Sequence, residues 1–160
     1  MTNIVVLVKQ VPDTYSERKL NGSDHTLDRE SADAVLDEIN EKAVEEALKI
    51  KEAGEGEVTV VSVGPDRATD AIRKALSMGA DKAIHVSDAA LHGSDAIATA
   101  KVLAAAIAKV EGFDLIIAGN ESSDGRGGAV PAILAELLGL PQVTYAREVT
   151  VDGTTIKAVR

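Results

Sequence analysis

The sequence predicts an α/β protein: a doubly wound, mostly parallel sheet with helices on both faces and a C-terminal β-hairpin. Three observations predict it. Short apolar runs at 3–9, 58–63, 83–86 and 114–118 alternate with longer stretches of helical period. Apolar residues make up 45% of the chain but aromatic ones only 2%, so the core must be built from Val, Ile, Leu and Ala, as in a parallel sheet covered by helices. Near the end, Asp152-Gly153 separates two alternating runs, the strongest short-range signal for a hairpin.

Each element has its own local reason. Residues 3–9 read as a buried first strand, and 10–32 as a polar excursion carrying Asn21-Gly22, a turn signal for a short hairpin. Ala34 to Lys51 reads as the first helix, with Asp33 as candidate cap and Ile39, Ala43, Ala47 and Ile50 along one face. Gly54 and Gly56 end it before the second strand, Val58 to Val63. Gly64-Pro65 turns the chain into a second helix over 66–78, stopped by Gly79. A third strand at 83–86 leads to a third helix over 94–110 with Ser94 as cap, then a fourth strand at 114–118. A fourth helix at 129–138 and a fifth strand at 143–151 follow. The second hairpin arm stops at Arg160 without a turn or cap, which reads as part of something longer.

Length and charge narrow the function. At 160 residues the expectation is a single α/β domain over 1–160 with a continuous core. The net charge of −9 argues against binding a nucleic-acid phosphate backbone, and aromatic platforms for stacking bases are missing. With no cysteine there is no thiolate chemistry. No apolar run approaches the ~20 residues of a membrane span, and a first strand beginning at Ile4 leaves no room for a leader. The expectation is a cytoplasmic protein without membrane insertion.

The most informative stretch is Ile117 to Pro131, a small glycine-rich turn between a strand and a helix with proline in its first turn. Such a turn leaves backbone N–H groups free at a helix N-terminus, where the dipole favours an anion. An ordinary strand-to-helix loop that needs glycine only for its geometry is the other reading. The named phosphate fingerprints do not fit: no lysine follows the glycines as a Walker loop requires, and from Gly125 and Gly127 the third dinucleotide position falls on Val130. Arg126 is the one strong cation of the loop, while Glu121 and Asp124 repel anions. That composition suits a monophosphate held mostly by backbone. In doubly wound sheets ligands sit beyond the carboxyl ends of the strands, which makes the loops after Val8, Val63 and Ala118 candidates for one nucleotide site.

Other side chains read as ordinary. His25, His85 and His92 share no ligand spacing, so no metal site is expected, and no Gly-x-Ser-x-Gly marks a nucleophile. The acidic run from Asp37 to Glu46 reads as a solvated helix face with Lys42 and Lys49 as neighbours; only its first turn reaches above the sheet. Lys9 either orients a phosphate or partner carboxylate or is a plain surface lysine. Nothing suggests bond-making chemistry.

Taken in order, Val8-Lys9-Gln10-Val11-Pro12-Asp13, Ala43 to Leu48, Val61 to Pro65, Ala75 to Val86 with its Met-Gly-Ala-Asp core, and Ala118-Gly119 through Leu140-Pro141-Gln142 resemble the beta subunit of electron transfer flavoprotein. The resemblance runs over essentially the whole chain. It implies a heterodimer with an alpha subunit that carries electrons from flavin dehydrogenases, such as the acyl-CoA dehydrogenases of fatty acid oxidation, to an acceptor, and catalyses nothing itself. It implies FAD mainly on the alpha subunit and AMP in the beta subunit, with a second FAD in its place in bifurcating members. By position, adenine would contact backbone at Leu7 and Val63, with Asp37 and Asn40 near the sugar or base. The phosphate would sit on Gly119 to Ala129, including Ser123, Asp124, Gly125, Gly127 and Gly128. Many members carry Asn-Pro where this chain has Asp37-Glu38, and polar side chains in place of Gly127-Gly128, so backbone contacts transfer more directly than side-chain ones. Members also run on into a tail that wraps the partner subunit and recognises dehydrogenases. Two rival classes are a universal-stress-type nucleotide sensor, whose glycine spacing is not found here, and an adenylate-forming hydrolase-like enzyme, whose Ser-Gly-Gly-type loop after the first strand is replaced by Lys9 to Asp13.

Overall fold

The computed structural model describes residues 1–160. In chain order its elements are β1 (Ile4–Leu7), β2 (Gln10–Pro12), β3 (Ala34–Leu36), α1 (Glu38–Ala53), β4 (Val58–Val63), α2 (Thr69–Met78), β5 (Lys82–Val86), α3 (Ala96–Ile107), β6 (Leu115–Ile117), α4 (Val130–Leu138), β7 (Glu148–Asp152) and β8 (Thr155–Val159). Four strands form one parallel sheet in the order β5-β4-β1-β6. The chain thus builds outward from β1 to β5, then returns past β1 to lay down β6. Strand order reverses between β1 and β6, which opens a crevice above their carboxyl ends.

Strand alternation divides the core into two layers. Ile4, Val6 and Val8, with Val58 and Val60, face α1 and α2 through Val44, Ala47, Ile50 and Ile72. Val5, Leu7 and Val61 face α3 and α4 through Leu103, Ile107 and Leu134. A strand buried on both sides has no polar face to show, which is why β1 reads as an unbroken apolar run. Each fully buried valine contributes on the order of 1.5–3 kcal/mol.

Four local expectations are corrected. The first helix starts at Glu38, not Ala34, because Ala34–Leu36 pairs antiparallel with Gln10–Pro12. A three-residue apolar run fits either period, and only the partner strand decides. The cap is therefore Asp37 instead of Asp33, its Oδ1 accepting from the amides of Ile39 (2.8 Å) and Asn40 (3.2 Å). Asp95, not Ser94, caps α3: its Oδ1 accepts from the Ala98 amide at 2.7 Å, while Ser94 still belongs to the preceding turn, its amide donating to the Leu91 carbonyl. The fifth strand at 143–151 does not join the parallel sheet: β7 begins at Glu148 and pairs only with β8. A two-residue turn closes a local hairpin at far smaller loop entropy than a return to the sheet edge. Val149 and Val151 pack that hairpin against the α1 side of the core. In the excursion, a single Leu20–Leu27 bridge closes a small loop around Asn21-Gly22.

Candidate functional site

Above the carboxyl ends of β1, β4 and β6 lies a cleft of about 1250 Å³. Its floor is Leu7, Val63 and Ala118 at the strand ends. One wall is the excursion around Thr26 to Glu30, and a second is the β5–α3 connection from Ser87 to Thr99. These walls meet through a hydrogen bond between His92 Nε2 and Asp24 Oδ2 at 2.8 Å. The Thr26 amide and His92 hold the Asp24 carboxyl down at about 2.

The third wall is the turn from Gly119 to Ala129, followed by α4. Its first half is tied down: the Ser123 amide donates to Asp37 Oδ2 (2.6 Å), the Gly125 amide to Asp124 Oδ1 (2.7 Å) and the Arg126 amide to the Ser122 carbonyl (2.9 Å). Its second half is not. The amides of Gly127, Gly128 and Ala129 find no acceptor within the chain, and they border the cleft where α4 begins. The left-handed turns at Arg126 (φ 51°) and Gly128 (φ 63°) shape this stretch. Unspent donors at the positive end of a helix fit an anion, and a phosphate is the group with enough acceptor oxygens to use them all.

Gly119 is required for a different reason. A Cβ there would stand 2.8 Å from both Asn40 Nδ2 and Ile39 Cγ2 in the first turn of α1. Gly119→Ala is expected to push the turn off α1 and cost about 1–3 kcal/mol, read as a shift in the urea midpoint. A variant as stable as the parent would show that this close approach is not needed.

The charges differ from the sequence picture. Asp124 does not project toward a bound anion: its side chain is 1% exposed, with Lys9 Nζ at 2.8 Å from Oδ1 and Arg29 Nη2 at 2.9 Å from Oδ2. Burial works against its charge, but the Lys9 hydrogen bond and the two cations outweigh that and hold the carboxyl well below the ordinary carboxylate range. Lys9 also reaches Ser122 Oγ (3.2 Å), and Arg18 donates to the Ser123 carbonyl (3.1 Å). Arg126, the cation that the sequence singles out, is 64% exposed, faces Glu121 at 3.5 Å and does not line the cleft.

The expected site residues therefore fall in two groups. Leu7, Asn40, Val63, Gly119, Gly125, Gly127, Gly128 and Ala129 come together around the cleft. Asp37, Ser123 and the Asp124 side chain are buried and do not line it, Asp37 with both carboxylate oxygens taken by amides. Sequence reasoning missed Arg18 and Arg29. Their signal was a basic pair inside the polar excursion of a chain with net charge −9, and nothing local says that the excursion folds back onto the loop.

A family model described as the electron transfer flavoprotein domain matches residues 24–160, from within the excursion to the last strand. The chain belongs to that family. It is 65% identical over 165 residues to the electron transfer flavoprotein subunit beta of Mycobacterium tuberculosis, covering 100% of this chain and 62% of the relative. It is 43% identical to the subunit of the same name from Clostridium acetobutylicum, covering 97% of this chain and 59% of the relative. It is also 40% identical to the Caffeyl-CoA reductase-Etf complex subunit CarD of Acetobacterium woodii, covering 93% and 57%. The chain thus spans about three fifths of the length of these electron transfer flavoprotein relatives. No helix of the structure is long and apolar enough to cross a membrane.

Proposed function

We propose that the chain is the nucleotide-holding part of an electron transfer flavoprotein beta subunit and seats AMP in the cleft between β1 and β6. The observation that carries this reading is the row of three unspent amides at Gly127, Gly128 and Ala129, on residues that line a cleft at a topological switch point. In this reading the phosphate lies on those amides, adenine meets backbone at Leu7 and Val63, and Asn40 stands near the sugar or base. AMP is then a structural ligand that is not turned over. FAD, held mainly by an alpha partner subunit, supplies the electron-carrying chemistry when bound, and flavin dehydrogenases are the donors. The chain's own part is to hold AMP rigidly and present a folded face to that partner.

Calorimetry with AMP and ATP, alongside a hydrolysis assay, tests this. The expected result is AMP binding at one site with no ATP turnover; hydrolysis by clean protein would point to an enzyme instead. If backbone holds the phosphate, Gly127→Val and Gly128→Val should each weaken AMP on the order of tenfold by blocking or twisting the donors. Arg126→Ala, which removes one exposed and screened charge, should change affinity by less than about twofold. The reverse ranking would refute the backbone cradle.

A further inference from the structure

Lys9 and Arg29 hold hydrogen-bonding capacity that the fold does not use. A lysine ammonium has three donors; Lys9 spends one on Asp124 Oδ1 and one on Ser122 Oγ. An arginine has five. Arg29 makes no side-chain hydrogen bond at all: its Nη2 lies 2.9 Å from Asp124 Oδ2, out of alignment, so that this oxygen remains without a hydrogen-bond partner. Both cations are 38% exposed, and both line the cleft that the Gly127–Ala129 amides border. Lys9 Nζ and the Gly125 amide share Asp124 Oδ1 as acceptor, which sets the ammonium against the loop two residues before the first free amide, at Gly127. Two cations around one buried carboxylate leave this cluster locally positive, on a cleft that Asp28, Glu30 and Glu121 also line.

We infer that Lys9 and Arg29 bind the dianionic phosphate of the nucleotide directly, with Asp124 as the positioning residue that holds the two side chains at the lip of the cradle. This rests on the nucleotide reading above and assigns its charge selectivity to one residue at the end of β1 and one in the excursion. The backbone amides supply direction; the two cations supply the preference for a phosphorylated ligand over a bare nucleoside. Arg126 has no share in it.

The test compares AMP with adenosine by calorimetry on the 160-residue chain and on Lys9→Gln, Arg29→Gln and Arg126→Gln. Lys9→Gln and Arg29→Gln should each weaken AMP by roughly fivefold or more while adenosine stays within about twofold, and Arg126→Gln should leave both unchanged. Unchanged AMP affinity in both variants, or equal losses for AMP and adenosine, overturns the inference. A wild-type measurement guards against variants that fail to fold. AMP, but not adenosine, should slow acetylation of the Lys9 amine by acetic anhydride, followed by peptide mass spectrometry with Lys101 as reference. Equal protection by both, or by neither, overturns it too. If the parent chain binds neither AMP nor adenosine, the nucleotide reading itself fails, a result separate from AMP binding that ignores Lys9 and Arg29.

Discussion

Asp37→Ala is expected to remove about 3–4 kcal/mol of stability and to release the Gly119–Ala129 turn from the body of the protein. The Asp37 carboxylate is fully buried and holds three amides. Two of them are the orphan donors of α1, and losing such a cap costs about 1–2 kcal/mol. The third is the Ser123 amide at 2.6 Å, which would be left buried without an acceptor at a further cost of about 1–3 kcal/mol. One side chain thus joins the start of α1 to the loop that borders the cleft. Asp37→Asn should fall between parent and alanine variant, because its oxygen can still cap α1 while its NH₂ group meets the Ser123 N–H donor to donor. Urea unfolding of the three proteins measures this. A loss below about 1 kcal/mol for the alanine variant would show that α1 and the loop stand without the tie.

The second large effect is at Asp124 and depends on pH. Asp124→Asn should cost about 2 kcal/mol at neutral pH. That is less than a fully buried pair would lose, because Lys9 and Arg29 are 38% exposed and water can recover part of their solvation. The folded carboxyl is held below its ordinary value of 3.8, so its contribution is complete above that value. It fades as the pH falls from there through the folded pKa. The stability gap between parent and variant should therefore stay constant from pH 7 to about 5 and close on further acidification. A gap that widens in acid would mean that the carboxyl is not the charged partner of Lys9 and Arg29.

Much of the architecture was legible because it depends on local pattern. The apolar runs that became β1, β4, β5 and β6, the glycine stops after α1, α2 and α4, and the Asp152-Gly153 turn all carry their reason within a few residues. Misreadings fell where a distant partner decides. Ala34–Leu36 fits either period and is a strand because Gln10–Pro12 lies beside it. Val149 and Val151 alternate as a strand should, yet they cover α1 and do not extend the sheet.

For the candidate site, the sequence by itself determined where backbone amides are left without an acceptor. Glycines ahead of a helix that starts with Pro131 can leave free amides whatever surrounds them, and Gly127 to Ala129 do so. What the sequence could not reveal was the sign of the charge around them. Read linearly, Arg126 is the loop's cation and Asp124 its repulsion. Only the tertiary structure turns Arg126 to solvent and buries Asp124 between Lys9 and Arg29, residues 115 and 95 positions away in the chain. The physical reason is range: hydrogen-bonding geometry of a turn is set by neighbouring dihedrals, whereas electrostatic character is set by whichever charges the fold brings within a few ångströms, however distant in sequence.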